Sequence, residues 1–339
     1  MTSSTTARRT PRTALVLVGC VAVLALVCLL SLAVGSKATS LPEVIGALTG
    51  RPDTYLATVL DSRIERTLLA LGVGAALALS GALMQGVTSN PLADPGLLGI
   101  NAGAAAAMVT ASAFFGVATG STASAWVALL GGGIAALVVH TIGTVGGGGA
   151  SLVRLVLAGA VVAAVLNAYV QGLALSMPQY FDNYRFWVVG SLGDGGLDHL
   201  RSVAPFLLVG LVLALLSASG LNALALGSDT ATGLGVNTTL LRVTALGAAT
   251  MLCAAATAAV GPIAFVGLAV PHIVRSLVGL DVRRQLITCL LVGPIVLLGA
   301  DIIGRVVLRP QELMVGVVTA FVGAPVLLLA VRRLGKRAA

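Results

Sequence analysis

The run ALVLVGCVAVLALVCLLSLAV, residues 14–34, carries no charged side chain. A helix needs about 20 apolar residues to cross the hydrocarbon core of a bilayer, so this run predicts a transmembrane helix. Arg8, Arg9 and Arg12 precede it, and basic residues before an apolar run are also typical of a signal peptide. The run is longer than the apolar part of most signal peptides, and many more such runs follow. We therefore predict that it is retained as the first membrane helix.

The composition of the whole chain indicates that lipid is its solvent. The chain has 339 residues, of which 58% are hydrophobic and 9% are charged, and its mean hydropathy is +1.04. Soluble domains carry about 25% charged residues, so this chain could not cover its own surface in water. The 42 glycines suit closely packed membrane helices. The apolar runs are long and unbroken, which excludes the short alternating segments of a β-barrel.

The remaining apolar runs predict nine further spans. The eighth is short and is interrupted by Pro262 and Pro271. We predict an all-α integral membrane protein with about ten transmembrane helices, forming a single domain over residues 1–339. The nine predicted spans cover residues 67–84, 92–112, 123–142, 152–175, 199–218, 240–260, 263–278, 285–303 and 312–331.

Two short segments resemble each other and begin the third and eighth spans. They are Asn90-Pro-Leu-Ala-Asp-Pro-Gly-Leu97 and Gly261-Pro-Ile-Ala-Phe-Val-Gly-Leu268. In a ten-span topology these two helices run in opposite directions, as in an inverted repeat. A chance match in a chain rich in Ala, Gly and Leu explains the likeness equally well, so both interpretations stay open.

The basic residues predict the orientation in the membrane. Ten spans place both termini on one side, and basic tails occur at both ends, at about 1–12 and 332–339. Because Lys and Arg concentrate in cytoplasmic loops, we expect both termini in the cytoplasm and the chain in the cytoplasmic (inner or plasma) membrane. The net charge of +8 is spread over short loops, and no soluble basic domain is present to bind nucleic acid.

Residues that could hold a metal or carry protons are sparse. The four cysteines all fall in apolar runs without a C-x-x-C pair, so we interpret them as small packing residues. The three histidines lie far apart, near predicted span ends, and packing or interfacial roles fit them better than a metal or proton site. An ion-coupled carrier is therefore disfavoured, and we expect no metal site. These residues are Cys20, Cys28, Cys253, Cys289, His140, His199 and His272.

No nucleotide-binding motif is present. Lys37 and Lys336 are the only lysines, and neither belongs to a G-x-x-x-x-G-K-[ST] loop. We expect no cofactor in this chain and no enzymatic activity of its own. If ATP drives transport, another chain must bind the ATP and hydrolyse it.

The loop between the sixth and seventh spans, at about residues 219–239, is the longest on the predicted cytoplasmic side. In it, Ser228 or Asp229 could cap a helical turn, which Gly233 and Gly235 would end. The pattern fits a surface turn as well as a docking element for a cytoplasmic partner.

Several arginines fall on the opposite, outer side, against the usual orientation rule. Arg63 and Arg66 are three residues apart and so share a helix face. At an exposed rim, their guanidinium groups could bind carboxylates of a partner protein. Local pairing or snorkelling is the alternative. The other residues concerned are Asp61, Glu65, Asp301, Arg305 and Arg309.

Several ordered motifs resemble the FecCD family of binding-protein-dependent permeases, from about residue 14 to 333. This family includes importers of cobalamin, haem and many ferric siderophores. The motifs are Arg63-Ile-Glu-Arg-Thr-Leu-Leu-Ala70, Gly81-Ala-Leu-Met-Gln-Gly86, Asn90-Pro-Leu-Ala-Asp-Pro-Gly-Leu-Leu-Gly99, Leu221-Asn-Ala-Leu-Ala-Leu-Gly227, Gly261-Pro-Ile-Ala-Phe-Val-Gly-Leu268, Val270-Pro-His-Ile-Val-Arg275, Ala300-Asp-Ile-Ile-Gly-Arg305, Glu312-Leu-Met-Val-Gly-Val-Val-Thr319 and Val322-Gly-Ala-Pro325.

The resemblance implies a type II ABC importer permease fold with two permease subunits around a central pathway. They are either two copies of one chain or two related chains. Two cytoplasmic ATPase subunits would bind ATP and Mg, and an extracytoplasmic substrate-binding protein would dock outside. The implied function is translocation of a ferric siderophore across the cytoplasmic membrane, with haem or cobalamin as alternative cargo.

The resemblance also assigns roles to residues. It implies that Arg63, Arg66 and Arg305 pair with acidic residues of the binding protein, although Glu65 stands where the family often has proline. The loop at about 219–239 corresponds to a coupling element for the ATPase, and the segment after the fifth span to an outer gate, where Trp187 could instead be an interfacial anchor. The implied coupling residues are Leu224, Gly227, Ser228, Asp229, Gly233, Leu234 and Gly235; the implied gate residues are Phe186, Trp187, Gly190 and Ser191.

Overall fold

A computed structural model describes residues 9–35, 54–118, 121–144, 152–178, 184–185, 187–193 and 196–325. Within these ranges the chain is helical, with no β-strand. The helices are α1 (Arg9–Ala33), α2 (Thr54–Thr88), α3 (Ile100–Phe115), α4 (Thr122–Thr144), α5 (Leu152–Ser176), α6 (Gly196–Leu224), α7 (Ser228–Gly233), α8 (Thr238–Val260), α9 (Val266–Val278), α10 (Val282–Val307) and α11 (Val315–Pro325), with a 3-10 turn at Pro95–Leu98.

The prediction of an all-helical membrane protein with about ten spans is confirmed. In the part of the chain that the structure describes, seven helices are long and apolar enough to cross a membrane, and α3, α9 and α11 are shorter apolar helices. Each overlaps one predicted span. The short eighth span begins as a helix only at Val266, after a turn that includes Pro262. The predicted tails and the last part of the tenth span lie largely outside the described residues.

Helix α2 lies at the centre of the bundle and α1 at its edge. Of the most apolar stretch of each helix, 78% is buried in α2 and 6% in α1. Glycines allow this central packing, because a side chain at Gly74 would overlap the backbone of α10 at Pro294, and one at Gly81 the backbone of α9 at Gly267. Between membrane helices there is no hydrophobic driving force, so the van der Waals contacts of closely approaching backbones stabilise their association instead.

Helix α2 is also longer than the membrane requires. Its 35 residues extend about 52 Å at 1.5 Å per residue, against a hydrocarbon core of about 30 Å. The sequence predicted only residues 67–84 as apolar span, and the extra turns carry Arg63 and Arg66. The excess length therefore lifts these arginines to one face of the bundle, while α7 lies at the other.

Candidate functional sites

Two arginines cap the end of α1. Arg63 Nη1 donates to the carbonyl of Leu32 at 2.7 Å, and Arg305 Nη1 donates to the carbonyls of Ser31 at 3.0 Å and Val34 at 3.1 Å. The last carbonyls of a helix have no partner within the helix and carry partial negative charge, which a guanidinium satisfies well. The arrangement joins α1 to α2 and α10 at the face opposite α7.

A small residue makes room for this cap. A side chain at Gly35 would overlap the guanidinium of Arg63. Ser31 is fully buried and its hydroxyl accepts from Arg305 Nη2 at 2.8 Å. Ser31 is the one hydroxyl residue in the apolar run 14–34, and this signal could have identified it as a contact of the arginines.

Acidic side chains complete what we name the arginine cluster, defined as Arg63, Arg66, Asp301, Arg305 and Glu312. Arg305 Nη2 lies 2.8 Å from Asp301 Oδ2, and Arg66 Nη1 lies 2.8 Å from Glu312 Oε2. Arg66 Nη2 is also 3.9 Å from Asp301 Oδ1. Buried guanidinium and carboxylate groups need such partners, because an unpaired buried charge is costly.

The cluster has a buried layer and an accessible layer. Arg63 and Arg305 are 5% and 2% exposed, whereas the side chains of Arg66 and Glu312 are 18% and 31% exposed. The exposure expected of all three arginines is therefore wrong for Arg63 and Arg305, because the end of α1 covers them. Of the open alternatives, local pairing holds for Arg305 with Asp301.

Glu65, the departure from the family pattern, does not pair with Arg66 within the described ranges, where the carboxylates within 4 Å of Arg66 are Glu312 and Asp301. Its carboxylate lies beside Gly196 at the start of α6. The sequence reasoning missed Glu312 as the partner because 246 residues separate it from Arg66.

On the opposite face, α7 is a short helix of six residues held by one buried side chain. Ala231 is fully buried, while Leu226 and Leu234 on either side are 68% and 65% exposed. Leu224, at the end of α6, is buried. The loop thus presents apolar side chains to the aqueous face, which is unusual for a surface turn and typical of a docking surface.

The ends of α7 differ in part from the prediction. The N-cap is Gly227, with φ of 110° and no side-chain cap bond, so neither Ser228 nor Asp229 caps the helix. At the other end, Val236 N donates to Ala231 O and Gly235 N donates to Thr232 O, the two bonds of a Schellman motif. Gly235 has φ of 82°, and it supplies the left-handed residue that this motif requires.

The base of this loop is tied to α10. The amide of Asn222 donates to Asp281 Oδ1 at 3.3 Å and its oxygen accepts from Val282 N at 2.8 Å. Asp281 is also the N-cap of α10, accepting from Arg284 N. The end of α6, just before α7, is therefore fixed to the start of α10.

The backbone of the candidate gate segment, around residues 187–191, lies in close contact with glycines of neighbouring elements. A side chain at Gly261 would overlap the carbonyl of Trp187, and one at Gly316 the carbonyl of Val189. Ser191 N donates to Val260 O at 2.9 Å, and Gly190 has φ of 80°. The described residues of the segment thus contact the α8–α9 turn and the start of α11. Phe186 lies outside the described residues.

Beside this segment, Tyr184 packs against Trp187 with ring centroids 6.3 Å apart. Burial raises the pKa of the Tyr184 phenol to about 12. Trp187 therefore has a packing partner within the protein, as a residue of a packed outer segment would.

The histidine at the start of α6 has a packing role. His199 is 5% exposed, with Nδ1 3.2 Å from Ala259 O and Nε2 3.0 Å from Ser121 O. An N–H of the ring can donate to a carbonyl at either position, and the contact with Ala259 joins α6 to α8. Over the described ranges, no group of three His, Cys, Asp or Glu side chains could hold a metal ion.

The seven long apolar helices and the three shorter ones of the described residues are typical of a polytopic membrane protein. The chain belongs to the FecCD transport family, whose model matches residues 23–333. A ferric enterobactin transport system permease protein of Escherichia coli (strain K12) is 49% identical over 305 residues, covering 90% of this chain and 91% of that protein. A hemin transport system permease protein of Yersinia pestis is 38% identical over 278 residues, covering 81% and 83%.

A solved structure shares the fold. It is described as an inward-facing conformation of a metal-chelate type ABC transporter, and it matches with a TM-score of 0.82 at 29% identity, covering 94% of this chain and 99% of that one. The protein is therefore a multi-pass membrane permease with the ABC transporter permease fold, as the sequence predicted.

Proposed function

We propose that this chain is the membrane subunit through which an ATP-driven importer moves a ferric siderophore across the cytoplasmic membrane. The observation that carries the proposal is the 49% identity, over nine-tenths of the chain, to a ferric enterobactin permease. Ferric enterobactin is accordingly the first cargo to test. Haem is the second, because a hemin permease is 38% identical.

A partner subunit supplies the energy in this proposal. The chain has no Walker motif, so separate ATPase subunits bind ATP and Mg and hydrolyse the ATP. They dock against α7, whose exposed Leu226 and Leu234 offer apolar contact. The coupling residues remain those of the loop at about 219–239, with both chain termini on the same cytoplasmic side.

A substrate-binding protein docks on the other face. Arg66 is the arginine of the cluster that reaches the surface, and it would meet an acidic side chain of the binding protein in competition with Glu312. Arg63 and Arg305 support this surface from below by holding the end of α1. Their role in docking is positional rather than direct.

Transport then proceeds by alternating access. A second permease subunit, identical or related, completes the pathway, with the segment around Trp187, Gly190 and Ser191 as its outer gate. ATP binding shifts the population between two packings of the helices, and no covalent step occurs in this chain.

The test is uptake of radiolabelled ferric siderophores, haem and cobalamin by an iron-starved deletion strain and its complemented parent. We expect the deletion to lose uptake of one ferric siderophore, with recovery on complementation and loss on ATP depletion. Loss of haem or cobalamin uptake with normal siderophore uptake would overturn the assignment of a ferric siderophore as cargo. Uptake that survives ATP depletion would overturn the importer class.

A further inference from the structure

Two adjoining cavities form a groove along α4 and α8, on the face where α7 lies. One has a volume of about 420 Å³ and the other about 480 Å³. They are continuous, since both are lined by the same five residues. The shared residues are Leu98, His140, Leu155, Val243 and Leu246.

One end of the groove is polar and positively charged. Arg242, near the start of α8, lines it beside His140. Arg242 is exposed, and in the described part of the chain no carboxylate lies within 4 Å of it. By contrast, a carboxylate lies within that distance of Arg66, Arg201, Arg284 and Arg305. Hydroxyl side chains complete this end, at Thr88, Ser89, Thr144 and Thr239.

The rest of the groove is apolar and open. Leu130, Ile134 and Leu137 of α4 are 60%, 61% and 65% exposed along it. Gly133 and Gly247 line it too, and a side chain added at either would meet no atom within 4 Å. The absence of side chains at these two positions keeps the groove deep.

The length of the apolar part matches one leaflet of a bilayer. From Arg242 to Ala254, the last α8 residue that lines the groove, the helix rises about 18 Å at 1.5 Å per residue. Half of the hydrocarbon core is about 15 Å. A chain anchored at Arg242 would therefore end near the middle of the membrane.

We propose that this groove binds an anionic phospholipid of the leaflet on the α7 side. Arg242 holds its phosphate together with the hydroxyls of Ser89 and Thr239, since those of Thr88 and Thr144 already donate to backbone carbonyls, and one acyl chain lies between α4 and α8. Charge complementarity selects this occupant, because a basic residue facing an aqueous–lipid boundary attracts anionic headgroups. The inference is independent of which chelate the protein transports.

The first test is native mass spectrometry of the full-length chain in mild detergent with equal amounts of phosphatidylglycerol and phosphatidylcholine. We expect a preference for phosphatidylglycerol that Arg242→Gln lowers about five-fold, the size typical of one basic residue near a membrane surface. Arg283→Gln removes an equal charge from an exposed residue on the same face, outside the groove. An equal loss in both variants, or no preference in the parent, would overturn the proposal.

A second test fills the groove. Gly247→Leu is expected to remove the bound lipid, whereas Gly19→Leu, which also enters open space on α1, is expected to keep it. If Gly247→Leu instead converts a dimer to a monomer in the same spectra, a second copy of the chain covers the groove and the proposal fails. It fails equally if lipid occupancy is unchanged while ferric-siderophore uptake is lost.

Discussion

At the scale of single residues, two buried guanidinium groups act as the C-cap of a helix that is remote in sequence. Arg305 does most of this, since it contacts two carbonyls and the hydroxyl of α1 as well as Asp301 on its own helix. Removing it leaves Asp301 buried without its nearest counter-charge, which is the costly way to break a buried pair.

We therefore expect Arg305→Met to destabilise the protein by about 3–5 kcal/mol, measured as a lower thermal midpoint in detergent. The double variant Arg305→Met with Asp301→Asn should recover part of the loss, because no unpaired charge remains. A double variant less stable than Arg305→Met alone would contradict this account.

The arginines also show where sequence reasoning stops. The helical spacing of Arg63 and Arg66 was visible, and so was the turn between Asp301 and Arg305. Their exposure was not, because it depends on the end of α1, some 30 residues before Arg63 and over 270 before Arg305. Tertiary capping leaves no local pattern in the chain.

At the scale of elements, glycine determines how closely helices approach and how they end. Gly74, Gly81 and Gly235 have different reasons to be glycine. The first two face the backbones of α10 and α9, while Gly235 has a left-handed backbone at the end of α7.

In α2, Gly81→Val is expected to prevent stable packing, because its side chain would overlap the backbone of Gly267, which cannot rotate away. Gly172→Val is the control, since a side chain there meets open space. The measurement is the yield of monodisperse protein on size exclusion in detergent. Equal yields of the two variants would show that α2 and α9 are not packed as described.

In α7, Gly235→Ala should cost about 1 kcal/mol or more, because alanine disfavours a left-handed backbone. Gly233→Ala should be tolerated, because Gly233 is within the helix and its side-chain direction is open. ATP-driven siderophore uptake should fall for the first variant and persist for the second. The reverse order would contradict α7 as the coupling element.

The boundaries of these elements were partly predictable. Uncharged runs predicted the spans because the length and hydropathy of a run can be read directly from the sequence. The end of α7 was also close to the prediction, since glycine is the usual left-handed residue. Its start was not, because Gly227 replaces the expected Ser228 or Asp229 cap.

At the scale of the whole molecule, the two partner surfaces that we propose lie on opposite faces of a single chain. The docking surface proposed for the binding protein centres on Arg66, whose Nη1 lies 2.8 Å from Glu312 Oε2. A binding protein therefore has to exchange one salt bridge for another, which favours a docking strength sensitive to salt.

We expect Arg66→Glu to weaken binding-protein affinity about ten-fold at low ionic strength, through repulsion between like charges. Arg201→Glu, which changes an exposed arginine paired with Asp198, should have a smaller effect. Titration calorimetry or surface plasmon resonance with the purified binding protein measures both. Unchanged affinity in Arg66→Glu would remove Arg66 from the docking surface.

Helix α10 runs between the two faces and contacts other helices at its start, its middle and its far end. At its start, Val282 N donates to Asn222 Oδ1 beside α7. At its far end, Arg305 donates to the end of α1, and between them Pro294 packs against Gly74. The distance along the helix is about 18 Å from Val282 to Pro294 and about 17 Å from Pro294 to Arg305, at 1.5 Å per residue. Spin labels at 228 and 33 in full-length protein would report whether both ends move together when nucleotide binds the complex.

A rigid tilt of α10 about Pro294 would move the two ends of the helix in opposite directions. A tilt of about 5° about Pro294 would carry its two ends about 1.5 Å in opposite directions, given those distances. In the importer that we propose, a push by the ATPase at the start of α10 would then displace the end of α1 in the opposite direction.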